Sequence, residues 1–240
     1  MFAKYVIVIF LLLLSIKNGI SQSYNVKVAG KMSKIGKENR VDADILVDTI
    51  NYTNLYALGP VENLRGEIII WDNKRYIAAL TDDKKPMVQK NTKNLKAIFL
   101  AYANVSKWDT LVIKDNIGSL QQLQILISKK ASEKGIDTTK AFPFLIYARV
   151  AKGKGHIMFK DTTEKVMNAE VLKAAKNINS FEGIDARMLG FYSQNHQTVF
   201  TAQGSFIHIH YLLSNKYQAG HLDEIIFDSK TPIRLLIPKL

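Results

Sequence analysis

Three histidines carry the chemistry that the sequence suggests. His208 and His210 stand one residue apart in the apolar run Gly204-Ser-Phe-Ile-His-Ile-His-Tyr-Leu-Leu213, and His221 follows a short polar stretch. A buried imidazole costs free energy unless its nitrogens find partners. In a strand, residues i and i+2 share a face, so His208 and His210 project side by side with Phe206 and Leu212. Ile207, Ile209 and Tyr211 take the opposite face. Ser214 to Gly220 reads as a turn, and a strand beginning near His221 would return beside the first one. Three neutral imidazoles would then converge with a fourth position open, which is the composition of a catalytic zinc site. Other first-row divalent metals suit the same nitrogens. The plain alternative is that one or two of these rings are only hydrogen-bonded core or surface residues.

Two other residues interrupt apolar surroundings. Glu67 stands in Leu64-Arg-Gly-Glu-Ile-Ile-Ile70, and Arg149 closes Phe142-Pro-Phe-Leu-Ile-Tyr-Ala-Arg149. A charge in such a strand is expensive unless paired or facing a cavity, so a strand-edge position toward water is the plain expectation for both. His156, after a Lys/Gly run, and His196 read as exposed loop residues. A cupin also uses a His-x-His pair, but it wants a glutamate shortly afterwards, and Leu212, Leu213, Ser214 and Asn215 follow here.

The elements that must position these residues can be read from spacing. Asn25 to Ala29 is an entry strand, and Val41 to Thr49 a short helix. Leu64 to Leu80 is a hairpin turning at Asp72-Asn73. Leu95 to Val105 is apolar and fits strand or helix. Ser119 to Lys134 has apolar residues at helical spacing, with Gly135 as its stop. Ala141 to Val150 is a strand, with His156 to Asp161 as its hairpin partner, and a second helix covers Thr163 to Lys176. From Arg187 onward the chain reads as strands: 187–193, 198–203, 206–214, 221–228 and 233–238. Strands with intervening helices but no strict alternation predict an α+β fold with a largely antiparallel sheet.

Composition sets outer bounds. The chain has 240 residues, 47% apolar and 22% charged, as in an ordinary folded domain. It has no cysteine, which excludes disulfides and thiolate metal sites. The net charge of +12 comes from lysines scattered through loops, without a helix stripe or nucleic-acid motif. That pattern predicts a solvated basic surface suited to a small anionic substrate, and no nucleic-acid partner. Lys4, the apolar run Tyr5 to Leu14 and the small residues near Gly19-Ile-Ser21 read as a secretory signal peptide over 1–21. The run is too short for a membrane anchor. The expected mature domain is 22–240, secreted or periplasmic.

Four motifs in order resemble the α-acetolactate decarboxylase family. They are Leu58-Gly59 through Leu64-Arg-Gly-Glu67, Phe144-Leu-Ile-Tyr-Ala-Arg149, Met188-Leu-Gly-Phe-Tyr192, and His208-x-His210 followed by Gly220-His221. The resemblance spans nearly all of the mature chain. It implies a bifurcated, largely antiparallel sheet with a few flanking helices, a homodimer, and zinc held by His208, His210 and His221. It places Glu67 and Arg149 in the metal cavity, Glu67 as proton donor and Arg149 as the carboxylate-orienting cation. The implied activity is decarboxylation of 2-acetolactate to acetoin and carbon dioxide. Arg65 replaces the family's usual aspartate, Ala219 replaces the first of a glycine pair, and no glutamate follows Glu224, where the family carries a second active-site carboxylate. Two other functions remain open on the sequence: an exported metal- or ligand-binding homologue that has lost the chemistry, and a zinc hydrolase.

Overall fold

The computed structural model describes residues 24–215 and 218–240. The signal-peptide expectation therefore lies outside the described residues. Fourteen strands run through the described chain: β1 (Val26–Ala29), β2 (Ile45–Leu46), β3 (Leu55–Pro60), β4 (Glu67–Trp71), β5 (Lys74–Leu80), β6 (Pro86–Lys90), β7 (Lys96–Ala97), β8 (Leu100–Asn104), β9 (Trp108–Ile113), β10 (Phe142–Met158), β11 (Lys176–Tyr192), β12 (Ile207–Leu213), β13 (Ala219–Phe227) and β14 (Ile233–Pro238). The helices are α1 (Ser33–Glu38), α2 (Leu120–Glu133) and α3 (Ala169–Ala174). The fold is α+β, as the sequence predicts, and every pairing between these strands is antiparallel.

One sheet has the order β1-β8-β3-β4-β5-β6, and β2 and β7 form a small separate pair. The second sheet bifurcates along β10. One edge of β10 pairs with β11 over its full length. The other edge pairs first with β14, at Leu145 to Tyr147, and then with β13, from Val150 to His156. Register shifts at Val150/Lys152 and Lys154/Gly155 bend the strand between these partners. β12 pairs with β11 on one side and β13 on the other, so β10, β11, β12 and β13 close a ring while β14 and β9 branch away.

Residue parity divides the first sheet between two cores. Ile69 and Trp71 of β4 face the second sheet and join the main core, together with Leu145, Leu189 and Phe191. Ile68 and Ile70 face the other way, into a smaller cluster with Val47, Leu95 and Leu100. Glu67 shares the parity of Ile69 and so points between the sheets. Full burial of each such isoleucine stabilises the fold by about 2 kcal/mol. Strong apolar pressure thus holds a carboxyl group where water is scarce.

Several expected elements form as read. The Asp72-Asn73 turn has positive φ at both positions (50° and 62°), the geometry that joins two twisted strands tightly. Ser119 caps α2 by accepting from Gln122 N, and Gly135 follows at φ 82°. Leu95 to Val105 resolves into strands.

Others differ. Val41 to Thr49 holds β2 and a 3-10 turn, while the first helix lies earlier, at α1. His156 to Asp161 is not a hairpin partner: β10 runs unbroken through Lys152-Gly-Lys-Gly155, and its partner is β11. Glycines weaken a strand when read from sequence, but here neighbouring strands hold the segment on both sides. The helix expected over 163–176 shrinks to α3. Asp161 takes the Thr163 N–H and hydroxyl in a local turn, Asn168 caps at Val171 N, and Lys176 already opens β11. Residues 198–203 form a tight turn, with Val199 N and Phe200 N both donating to His196 O.

Candidate metal centre

Pairing register brings the histidines together. His210 pairs with Leu189 on one side and His221 on the other, and His221 pairs with His156. Directly opposed residues in a sheet point to the same face. His210, His221 and His156 therefore form a row across three strands, and His208 joins from two residues along β12. Ring centroids are 4.9 Å apart for His208–His210, 4.8 Å for His208–His221, 5.7 Å for His210–His221 and 4.6 Å for His156–His221. Gly220 permits this closeness, because a Cβ there would meet the His156 carbonyl oxygen at 2.5 Å.

Hydrogen bonds fix how the rings present their nitrogens. His208 Nδ1 donates to the Phe200 carbonyl at 2.6 Å, and His210 Nδ1 donates to the Ile68 carbonyl at 2.8 Å. A carbonyl only accepts, so each Nδ1 carries the ring proton and each neutral ring turns a bare Nε2 inward. Those two Nε2 atoms lie 3.1 Å apart, fully enclosed. Burial, and next the neighbouring His221, hold both pKa values well below the ordinary range, so protonation is a poor way to reconcile the two lone pairs. Two donors bound at about 2.1 Å to a tetrahedral cation sit roughly 3.4 Å apart. Ring N–H to backbone carbonyl is also the usual outer contact of a metal-bound histidine. The donor set fits a divalent cation.

The first sheet supplies Glu67, entered through Gly66 at φ 134°, a conformation closed to other residues. Glu67 is 3% exposed. Its Oε1 accepts from Met158 N at 3.0 Å, and Oε2 faces His210 Nε2 at 3.7 Å. Burial pushes its pKa up to about 8 against the opposing Met158 hydrogen bond. Burial thus favours its protonated form.

On the far side of His221 stands a group that sequence reasoning missed. His156 is buried, 9% exposed, rather than in an exposed loop. Its Nδ1 donates to Asp223, at 2.8 and 2.9 Å from the two carboxylate oxygens. His221 Nδ1 lies 3.4 Å from Asp223 Oδ1, and Lys176 Nζ is 3.3 Å from the same oxygen. Burial lowers the His156 pKa to about 4. Burial works against ionisation of Asp223, but its contacts with His156 and His221 win and hold it well below the usual carboxylate range. His156, His221 and Asp223 offer ligand atoms all within 4.8 Å of one another, and among the described residues this is the grouping whose ligand atoms converge closely enough to hold a metal ion. His221 stands between that group and the His208–His210 pair. Strand parity was the available clue to Asp223, which shares a face with His221.

Arg149 stands elsewhere. Its side chain is 42% exposed and faces Asp185 (3.4 Å) and Asp228 (3.8 Å), in a cleft with Tyr147 and Arg187. The cavity position that the resemblance implies for it is not what the structure shows. His196 is half-buried, bonded through Nδ1 to Ser193 Oγ at 2.7 Å and stacked on Phe200.

The arrangement of this site can be set beside known proteins. The family model for alpha-acetolactate decarboxylase matches residues 38–234. The chain belongs to the α-acetolactate decarboxylase family. The Bacillus subtilis strain 168 α-acetolactate decarboxylase has a similar structure, with TM-score 0.70 and 15% identity over 90% of this chain and 86% of that one. A Staphylococcus aureus protein of unknown function, described as similar to α-acetolactate decarboxylase, superposes with TM-score 0.68 at 15% identity, over 90% of this chain and 85% of that one. At such identity the likeness shows the shared fold. Among curated proteins none matches in sequence. This family member therefore keeps the decarboxylase fold on a widely diverged sequence, and its donor set must be judged on its own atoms.

Proposed function

We propose that the protein is a zinc-dependent decarboxylase converting 2-acetolactate, a 2-hydroxy-3-keto acid, to acetoin and carbon dioxide. Family membership supports a decarboxylase-like activity. The observation that carries the metal reading is the pair of bare, enclosed Nε2 atoms of His208 and His210 at 3.1 Å. His221 is the third imidazole of the set.

A bound divalent cation supplies Lewis acidity toward a ketone oxygen. His208, His210 and His221 would hold it. The burial of His208, His210 and Glu67 limits water around the reacting atoms and strengthens the electrostatic contacts there, while His221 stays partly open to solvent. When the bond to the carboxylate breaks, carbon dioxide leaves and the electron pair passes to the neighbouring carbonyl, giving an enediolate. Glu67 faces the histidines through Oε2, and its burial favours the protonated carboxyl that an acid needs. It gives a proton to the carbon that lost carbon dioxide, and the carboxylate takes up a proton from solvent once the product has left. A hydroxyketone is left. General acid catalysis of this kind is worth about 10²–10⁴ in rate.

The substrate is a small anion, which the basic surface attracts. No helix among the described residues is long and apolar enough to cross a membrane. Export behind residues 1–21 and assembly as a homodimer belong to the same reading, and N-terminal sequencing and light scattering of the exported protein test them. The function itself is tested by acetoin formation from 2-acetolactate with metal-free and zinc-reconstituted protein.

A further inference from the structure

We infer that Asp223, fixed in place by His156 and Lys176, is the outer carboxylate that orients His221 as a metal ligand. This inference rests on the metal-dependent reading above and goes beyond it, because neither His156 nor Asp223 belongs to the expected donor set.

Each of the other two rings has its Nδ1 tied to a fixed acceptor, Phe200 O for His208 and Ile68 O for His210. His221 has no such carbonyl. Its Nδ1 is enclosed and without a hydrogen bond, and the nearest acceptor is Asp223 Oδ1 at 3.4 Å. Left undirected, that ring could offer either nitrogen and either face. A proton on Nδ1 aimed at Asp223 leaves Nε2 bare, so all three rings adopt one tautomer and one role.

Asp223 can do this because it does not move freely. His156 Nδ1 donates to the carboxylate, with both oxygens within 2.9 Å, and Lys176 Nζ reaches Oδ1 from the solvent side. The His156 ring also lies 4.6 Å from His221, limiting its tilt. Register explains the assembly. His156 pairs directly with His221 across β10 and β13, and Asp223 follows His221 by two residues on the same face. A carboxylate so placed raises the basicity of the ring it faces and supplies negative charge against the cation. Losing such a partner costs about 10- to 100-fold in metal affinity.

Cobalt(II) is a suitable probe, because its visible absorption reports the ligand field. Full-length protein stripped of metal is titrated with cobalt(II) as wild type, Asp223→Asn and His156→Phe, and each metal-free chain is melted as a folding control. The inference predicts one cobalt(II) per wild-type chain. It predicts binding weakened by about 10- to 100-fold in Asp223→Asn, with the absorption bands altered and the stoichiometry still one. His156→Phe keeps the ring packing and frees Asp223, so it weakens binding less but in the same direction. It also serves as the test should Asp223→Asn fail to fold. Unchanged affinity and spectrum in a folded Asp223→Asn, or in His156→Phe if it alone folds, overturns the inference. So does a wild-type stoichiometry of two that falls to one in the variant, which would make His156, His221 and Asp223 a cation site of their own. If wild type binds no cobalt(II) at all, the metal-dependent reading fails first, and the two failures are told apart.

Discussion

Glu67, the first residue of β4, and His210, in the middle of β12, meet across the two sheets with Oε2 and Nε2 3.7 Å apart. The next residue of β4 binds the same ring from its other side, through the Ile68 carbonyl on His210 Nδ1. One strand end thus fixes both the tautomer of a candidate ligand and the acid beside it. The site exists only when the two sheets are packed together.

Glu67→Gln separates chemistry from structure. Glutamine keeps the shape and can still accept from Met158 N, but it has no proton to give. Turnover should fall by about 10²–10⁴, while zinc content and melting temperature hold. Rate measurements at saturating substrate check this, and near-normal turnover would remove Glu67 as the acid.

Gly220→Ala tests the spacing of the histidine row. A methyl group there meets the His156 carbonyl oxygen at 2.5 Å, so β13 must shift away from β10. The variant should fold with reduced stability, by about 1–3 kcal/mol as for other overpacked sites, and bind cobalt(II) more weakly than wild type. Cobalt titration beside a denaturant melt reads both effects.

A distant ion pair should reach the site through the backbone. Lys34 is buried and bonds Asp42 and Asp44. It lies in α1, whose start is tied to the 198–199 turn by Met32 N→Val199 O and Ser33 N→Thr198 O. That turn carries Phe200, the acceptor for His208. The hydrogen bond from Lys34, and next that from Arg40, lowers the Asp42 pKa to about 2. A depressed carboxylate adds stability above its unfolded pKa, about 3.9, and that contribution is lost as pH falls through about 2. Thermal melts between pH 2 and 5 should show this loss in wild type and a flatter profile in Lys34→Met. Lys34→Met should also weaken cobalt(II) binding if the path to His208 operates.

Much of this architecture was legible in the residues, and the failures have physical causes. The closeness of the His208, His210 and His221 rings is legible because a period of two and a short turn are local properties. The Asp72-Asn73 hairpin and the Ser119 cap were local too. His156 was not, because Lys152-Gly-Lys-Gly155 has the composition of a loop and becomes strand only through its pairing with β11 and β13. Its partner Asp223 lies far along the chain, and only register joins them. Arg149 shows the opposite error. A motif placed it in the cavity, but Asp185, its direct partner on β11, offers a solvent-side carboxylate that takes the guanidinium.

Removing the metal should loosen the apo site. A ligand at 100 times its dissociation constant stabilises the native state by about 2.7 kcal/mol, so chelation should lower the melting temperature of wild type. His208→Gln and His210→Gln should lose most of that shift.

The most direct measurement is acetoin and carbon dioxide release from 2-acetolactate by one preparation, assayed as purified, after exhaustive chelation, and after zinc is restored. The account predicts that turnover disappears with the metal and returns with it, and that His210→Gln stays inactive throughout. Undiminished turnover in protein shown to contain no metal would contradict it.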